Sequence, residues 1–255
     1  MQFVYLYVQG PENGYELRHS IRSVYRHFEG SAPRITIVGE RPSWYSGHHI
    51  EVPRAPQALP RRPRGPAAKL GANIDTANKI TVCSQHPEID ETFIWMMDDQ
   101  YLLRPTTVED LLIPRYDPWW RPRVHRQWHR LIQATFHALK AHGKPNYQVG
   151  THLPHVFEKS KLCECFQLYN YPRSLLLFEV LYGNHWREGF IPYGNEFDGV
   201  QYPPFLRQLL KRPRSAGEMD TETAASNVLN YQSMCFCPVM RNWLGTRFPE
   251  PTEVE

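Results

Sequence analysis

No run of apolar residues in this chain approaches the ~20 needed to cross a bilayer as a helix. The opening MQFVYLYVQG carries no positively charged leader of a secretory signal, so a cytoplasmic protein without membrane contact is expected. Cysteine is scarce: five in 255 residues, an odd number, which leaves reduced thiols as the expectation. Four of them form C-x-C pairs at Cys163/Cys165 and Cys235/Cys237. A four-cysteine zinc site stays open as an alternative, although zinc-binding pairs usually enclose about two to four residues. There is no internal repeat, and the chain has too many apolar residues, 41%, to be disordered. Net charge is nearly absent at +3, but it conceals a local excess of arginine. RAPQALPRRPRGPAAK (residues 54–69) and RYDPWWRPRVHRQWHR (residues 115–130) are patches that suit phosphates.

What is present reads as alternating strand and helix. FVYLYVQG, aromatic and β-branched, breaks at Gly10-Pro11 and predicts a strand. YELRHSIRSVYRHF sets Leu17, Ile21, Val24 and Phe28 at helical spacing and places Arg18, Arg22 and Arg26 on another face. RITIVG is a second strand closed by glycine, so the first forty residues spell a βαβ unit and a parallel sheet. Residues 41–66, crowded with proline and arginine, predict a mobile or partly ordered loop without helix. AKLGANIDTANKITVCSQH predicts a helix, and the continuous apolar TFIWMM a central strand buried on both faces. Beyond a proline-rich stretch at residues 114–122, RQWHRLIQATFHALKAHG predicts an amphipathic helix and PPFLRQLLKRPR a short one. NYQSMCFCPVMRNWLGTRF predicts a strand followed by a helix. The expected fold class is α/β, a mostly parallel central sheet flanked by helices with a mixed C-terminal part.

TFIWMM runs straight into Asp98 and Asp99. Parallel sheets bind ligands outside the carboxyl ends of their strands, and two adjacent carboxylates there repel each other unless a cation joins them. Hard oxygen ligands with open positions suit Mg²⁺ or Mn²⁺ carrying substrate phosphates. The plain alternative is that the two aspartates only start a turn, as Asp often does.

ELRHSIRSVYRHF, RITIVGERPSW, HPEIDETFIWMMDDQYLLRP, THLPHVFEKSKL and RFPEPTEVE, in that order, resemble the characteristic blocks of the Stealth-type sugar-phosphate transferases. They are more similar still to a set of short bacteriophage glycosyltransferases. The resemblance is patchy but spans nearly the whole chain. It implies a GT-A-like nucleotide-sugar-binding region at residues 1–113 and an acceptor-binding region at 114–255, packed as one continuous domain. It implies a hexosyltransferase that uses a UDP-sugar with Mn²⁺ or Mg²⁺ inside an infected bacterial host. Asp99 and Asp98 would hold the metal, with Asp98 also catalytic against the donor sugar. Gln9, Gly10, Glu16, Arg18, Lys69, Asn73 and Asn78 would contact the donor. His152 becomes a candidate for the metal shell and His155 for the acceptor hydroxyl, as bases or ligands of the imidazole kind. Two departures stand out: Met97 occupies a place usually similar to asparagine, and an Arg/Pro insertion precedes Lys69.

Each of these residues has a plainer reading. Arg18 could form a surface ion pair, and Lys69, Asn73 and Asn78 could line a solvated helix face. The chain has twelve histidines, so one more in a core or on a surface needs no function. Glu196 and Asp198 are reserve bases in what otherwise reads as a turn.

The acceptor is suggested by composition. Residues 115–130 interleave Trp119, Trp120 and Trp128 with Arg115, Arg121, Arg123, Arg126 and Arg130, offering phosphate contacts and flat stacking surfaces. Arg61, Arg62 and Arg64 could track a nucleic-acid backbone. An enzyme acting on a base in DNA must extrude it, which calls for such aromatic wedges and arginines. The expected acceptor is a hydroxymethylated pyrimidine, 5-hydroxymethylcytosine or 5-hydroxymethyluracil. The alternatives are transfer of sugar or sugar-1-phosphate to a glycan, a DNA-binding module without activity, and tryptophans that merely pack in the core. No obligate protein partner is implied.

Overall fold

The computed structural model describes residues 1–10, 12–55, 66–117, 127–150, 152–192, 196–197, 200–201, 205–231 and 233–255. β1 (Gln2–Tyr7), α1 (Tyr15–His27) and β2 (Arg34–Gly39) form the expected βαβ unit, which β3 (His48–Glu51) extends. α2 (Pro66–Gln85) returns the chain to β4 (Thr92–Met96). After β5 (Gln100–Leu102) come α3 (Val108–Leu112), β6 (Arg115–Tyr116), α4 (Gln127–Ala141), β7 (His155–Glu158), α5 (Lys159–Leu168) and α6 (Phe178–Trp186). Two short pairings, β6 with β8 (Ile191–Pro192) and β9 (Glu196–Phe197) with β10 (Val200–Gln201), precede β11 (Leu206–Leu209), α7 (Ala216–Thr223), β12 (Val228–Tyr231) and α8 (Pro238–Arg247).

The main sheet has the order β3-β2-β1-β4-β7, with β1 to β4 parallel and β7 antiparallel to β4. Both faces of its centre are covered, which is why β1 and β4 read as unbroken apolar runs. Phe3, Tyr5, Ile94 and Met96 pack on Leu17, Ile21 and Val24 of α1. Val4, Phe93 and Trp95 turn the other way, onto Ile80 and Cys83 of α2 and Leu162 and Phe166 of α5. A second sheet, β11-β12-β5, packs through Tyr101, Leu229 and Tyr231 onto Trp243 and Leu244 of α8.

The two sheets are joined by α1. Its Ser20 donates to the Gln100 carbonyl at 2.5 Å and its Ser23 hydroxyl accepts from the Leu102 N–H at 3.0 Å. These hydroxyls occupy the open edge of β5, where buried backbone groups need partners. The arginine stripe on the same helix also has a structural use. Arg22 binds the Glu255 carboxylate with two hydrogen bonds of 2.7 Å, and Arg26 donates to the Arg247 carbonyl at 2.5 Å.

Two expectations from the sequence are corrected. Residues 48–51 lie within the stretch read as a loop, yet they form strand β3 at the sheet edge. The run is only four residues long, too short for alternation to show. PPFLRQLLKRPR was read as a helix from its leucine spacing, but residues 206–209 form β11, parallel to β12. Only Leu206 and Leu209 of that strand are fully buried, three apart, so a half-covered strand imitates a helical period.

A buried ion pair fixes the carboxyl ends of β1 and β2. Lys79 of α2, 1% exposed, donates to Asp75 at 2.5 Å and to the Tyr7 carbonyl at 3.0 Å. The other oxygen of Asp75 accepts from the Ala55 N–H at 2.8 Å. Gly39, at φ 126°, lies against this group, where an added Cβ would come within 2.3 Å of the Tyr7 carbonyl oxygen. Removing one partner of a buried pair strands the other charge. Lys79→Met is therefore expected to lower unfolding free energy by about 3–5 kcal/mol, and the double variant Asp75→Asn/Lys79→Met by clearly less, measured by urea denaturation.

Candidate active site

β4 ends at Met96, and the chain leaves it by a tight turn at residues 97–100 that delivers it to β5 in the other sheet. The Gln100 N–H donates to the Met97 carbonyl at 3.2 Å, and the Gln100 side chain accepts from the Met97 N–H at 3.0 Å. Asp98 and Asp99 are the two central residues of this turn. Their backbone does what the plain reading expected, while their half-buried side chains reach two cavities at the carboxyl end of the sheet.

The first cavity, about 360 Å³, lies between the end of β1, the start of α1 and the aspartate pair. Glu12, Glu16, Asp98 and Asp99 line it together with Gly10 and Phe236. Glu12 is matched by Arg241. Glu16 accepts from the Tyr231 hydroxyl at 2.6 Å, and Tyr231 in turn meets the Tyr101 hydroxyl at 3.0 Å. Burial raises the Glu16 carboxyl above its ordinary range, and the Tyr231 hydrogen bond opposes that. The aspartates are also held above the ordinary carboxylate range. Burial is the main cause for both, followed by Glu16 for Asp98 and by Asp98 itself for Asp99. Among the described residues, one oxygen of Asp99, Oδ1, is buried without a hydrogen-bond partner. The Asp99 carbonyl is held by the Asn230 side chain at 3.2 Å, which fixes the turn to β12.

The second cavity, about 320 Å³, shares only Asp98 with the first. Its walls are largely aromatic and aliphatic. Trp95 stacks on His155 with centroids 5.7 Å apart and meets Phe178 edge-on at 4.9 Å. Trp128, at the start of α4, borders it and is 37% exposed. His152, Glu179 and Asn73 are its remaining polar groups of note. His155 is the cross-strand neighbour of Trp95, so the β4–β7 register places it there. Burial, Arg187 and His152 together push the His155 imidazole down to about 3. His152 sits at φ 56°, in the left-handed region that few side-chain-bearing residues adopt, and burial lowers its pKa too.

The residues singled out in the sequence therefore divide. Asp98, Asp99, Gly10 and Glu16 meet at the first cavity; Asp98, His152, His155 and Asn73 meet at the second. Gln9 stands beside the first without lining it. Its N–H donates to Glu40 at 2.6 Å and its carbonyl accepts from Arg54 at 2.9 Å. Arg18 pairs with Glu255 at 3.4 Å and lies over the Trp44 ring at 4.6 Å, the ion-pair alternative, and borders neither cavity. Asn78 is exposed on α2 and borders neither cavity. Lys69 belongs to α2, but its side chain lies outside the described part of the structure. Arg61, Arg62, Arg64, Trp119, Trp120, Arg121, Arg123, Arg126 and Asp198 also lie outside the described residues, as does the side chain of Glu196. The five cysteines are free, and among the described residues no group of three His, Cys, Asp or Glu side chains is placed to hold a metal. That leaves neither a zinc site nor His152 joined with both aspartates in a three-ligand set. No described helix is long and apolar enough to cross a membrane.

Glu179 was not foreseen. The signal was available: a single carboxylate inside the apolar run LLLFEVL, the same pattern that draws attention to the aspartates.

A mostly parallel sheet flanked by helices is the GT-A type of glycosyltransferase fold. An active-site variant of LgtC matches with a TM-score of 0.51 at 10% identity, covering 99% of this chain and 98% of that one. The galactosyltransferase LgtC in complex with donor and acceptor sugar analogues gives 0.47 at 9% identity over 99% and 98% of the two chains. The apo form of mouse xyloside xylosyltransferase 1 gives 0.41 at 10% identity over 90% and 96%. No family model and no curated protein sequence matches the chain.

The electrostatics of the aspartate pair give a stability prediction. Folding raises both carboxyl pKa values, so the stability they lend is complete at low pH and is lost as pH climbs through the folded-state values. Without added cation, Asp99→Asn should melt at the parental temperature near pH ~3, below the ordinary carboxylate range, and above it near pH ~9, by about 2–4 °C per kcal/mol of relieved repulsion. Equal differences at both pH values would mean that packing, not charge, is responsible.

Proposed function

We propose that this protein is a glycosyltransferase that moves a sugar from a nucleotide-sugar donor, a UDP-sugar, to a hydroxymethylated pyrimidine in DNA. The observation that carries the reading is the pair of cavities meeting at Asp98, one acidic and one aromatic, at the carboxyl end of β4 in a GT-A-type sheet. Donor and acceptor could each reach Asp98 through its own cavity.

The acidic cavity suits a nucleoside diphosphate only together with a cation, because Glu16, Asp98 and Asp99 would otherwise repel it. Mn²⁺ or Mg²⁺ fits the chemistry of that donor set. Asp99 has a buried oxygen without a partner, and both aspartates are hard oxygen ligands on a fixed turn. With two carboxylates from the protein, the remaining positions fall to diphosphate oxygens and water. When bound, such an ion supplies Lewis-acid stabilisation of the departing diphosphate. Residues 1–113 would provide this donor side. Tyr231 holds Glu16 in place at its wall, and Gly10 leaves backbone room beside the nucleotide.

The aromatic cavity, supplied largely by residues 114–255, would receive the acceptor. Its Trp128 is the continuation of the arginine/tryptophan run, which supports a partner that offers phosphates together with a flat ring. His155, stacked on Trp95, would shape the ring-binding wall. Transfer of sugar-1-phosphate to a glycan is the competing reading. Attack at the anomeric carbon releases nucleoside diphosphate, and attack at phosphorus releases the monophosphate.

Incubation with a panel of nucleotide sugars, Mn²⁺ and DNA containing 5-hydroxymethylcytosine or 5-hydroxymethyluracil should yield a glycosylated nucleoside by mass analysis, with the diphosphate as co-product. Release of the monophosphate would instead assign sugar-phosphate transfer. UDP with Mn²⁺ should stabilise the protein by about 2.7 kcal/mol at a hundred times Kd, and Asp99→Ala should abolish both this stabilisation and turnover. Activity undiminished by excess chelator would remove the cation from the reading. DNA binding should weaken steeply with salt, and charge reversal at Arg121 and Arg123 should abolish transfer to DNA while sparing donor hydrolysis. Equal loss of both would indicate misfolding.

A further inference from the structure

We propose that Glu179 is the base that takes the proton from the acceptor hydroxyl, and that the cavity it shares with Asp98 is where that hydroxyl is presented. The inference rests on the glycosyl-transfer reading above.

Glu179 lies in the first turn of α6 and is 8% exposed, yet it borders the aromatic cavity. Its Oε1 is 3.1 Å from the point that a Cβ on Gly150 would occupy, so the glycine opposite keeps the carboxylate unobstructed at the cavity wall. No salt bridge to it occurs among the described residues. A buried carboxyl without a cationic partner among the described residues, facing a ligand-sized cavity that also contains Asp98, has the placement of a group that acts on a ligand.

The other groups facing this cavity are poorer bases. Asp98 comes from the turn after β4 and is committed to the acidic cavity as well. His152 and His155 come from β7 and the segment before it. An imidazole held at about 3 binds a proton far too weakly to extract one from an alcohol near neutral pH, and burial moves His152 in the same direction. Tyr171, after α5, is pushed well above its ordinary value by burial and by Glu179 itself, so it stays a protonated phenol. Burial raises Glu179 to about 7, opposed only by a hydrogen bond to its own backbone N–H. That value lies close to the working pH, where a general base serves best.

The step balances without further reactants. A Glu179 oxygen takes the hydroxyl proton as the hydroxyl oxygen bonds to the anomeric carbon. The bond from that carbon to the donor diphosphate breaks, and its electron pair leaves with the nucleoside diphosphate. Trp95 and Phe178 hold the acceptor ring against this edge of the cavity.

The test compares the full-length protein with Glu179→Gln and Glu179→Ala. The assays are Mn²⁺-dependent UDP binding, transfer to oligonucleotides carrying 5-hydroxymethylpyrimidine, and the pH profile of transfer. Glu179→Gln should bind UDP with unchanged affinity and transfer about 10²–10⁴-fold more slowly. The parental rate should rise with pH through about 7 as the carboxyl ionises, and that rise should vanish in the variant. Added formate should restore part of the rate to Glu179→Ala. The melting temperature of Glu179→Gln near pH ~8 should equal or exceed the parental one, since it replaces a buried charge by a neutral isostere. Parental transfer with an unchanged pH profile in Glu179→Gln would overturn the inference alone, as would loss of UDP binding together with transfer. A parental protein that transfers sugar to no hydroxymethylated DNA would overturn the underlying reading and this inference with it.

Discussion

Everything near the site depends on the chain's passage from one sheet to the other at residues 97–100. β4 belongs to the parallel sheet and β5 to the smaller one, so the connecting turn can neither lengthen nor tilt without pulling a strand out of register. Gln100 ties the turn internally, Asn230 ties it to β12, and Ser20 ties it to α1. Two carboxylates that repel each other are held together by this scaffold. The backbone hydrogen bonds of the turn remain intact while its half-buried side chains line the cavities.

The two cavities that share Asp98 differ in physical character. On one side carboxylates crowd around an oxygen with no partner, an arrangement that favours a hard cation and the phosphates it brings. On the other, aromatic rings surround a few weakly hydrated groups, and burial shifts the titratable ones toward their neutral forms. His155 is driven toward its uncharged form, and Glu179 is drawn up toward neutrality. The same low polarity lies behind both shifts, and their opposite directions follow from the sign of the charge that each group would carry.

Much of the fold was legible because strands buried on both faces announce themselves as apolar runs, and the βαβ unit followed from period and glycine alone. The aspartate pair was legible for a related reason: charge interrupting such a run is costly unless it is used. Short edge strands were not legible. β3 has four residues and β11 buries two leucines at a helix-like spacing. The arginine stripe of α1 was visible, but the sequence could not show that it holds residues 247–255 and takes Arg18 away from the acidic cavity. Nothing in the sequence marked the Lys79–Asp75 pair, because burying it requires Tyr7 and Ala55, partners outside its helix. Glu179 shared the signature of the aspartates and was masked only by lying in a stretch with no strand to end.

The antiparallel strand β7 closes the main sheet directly beside β4, bringing Trp95 and His155 side by side although sixty residues separate them. The excursion between the two strands is thus pinned at both feet. Enlarging such a pinned loop is cheap, about 0.6 kcal/mol for each doubling of its length. The segment beyond β5 could therefore grow or shrink between relatives of this architecture without unpairing the two strands at its feet.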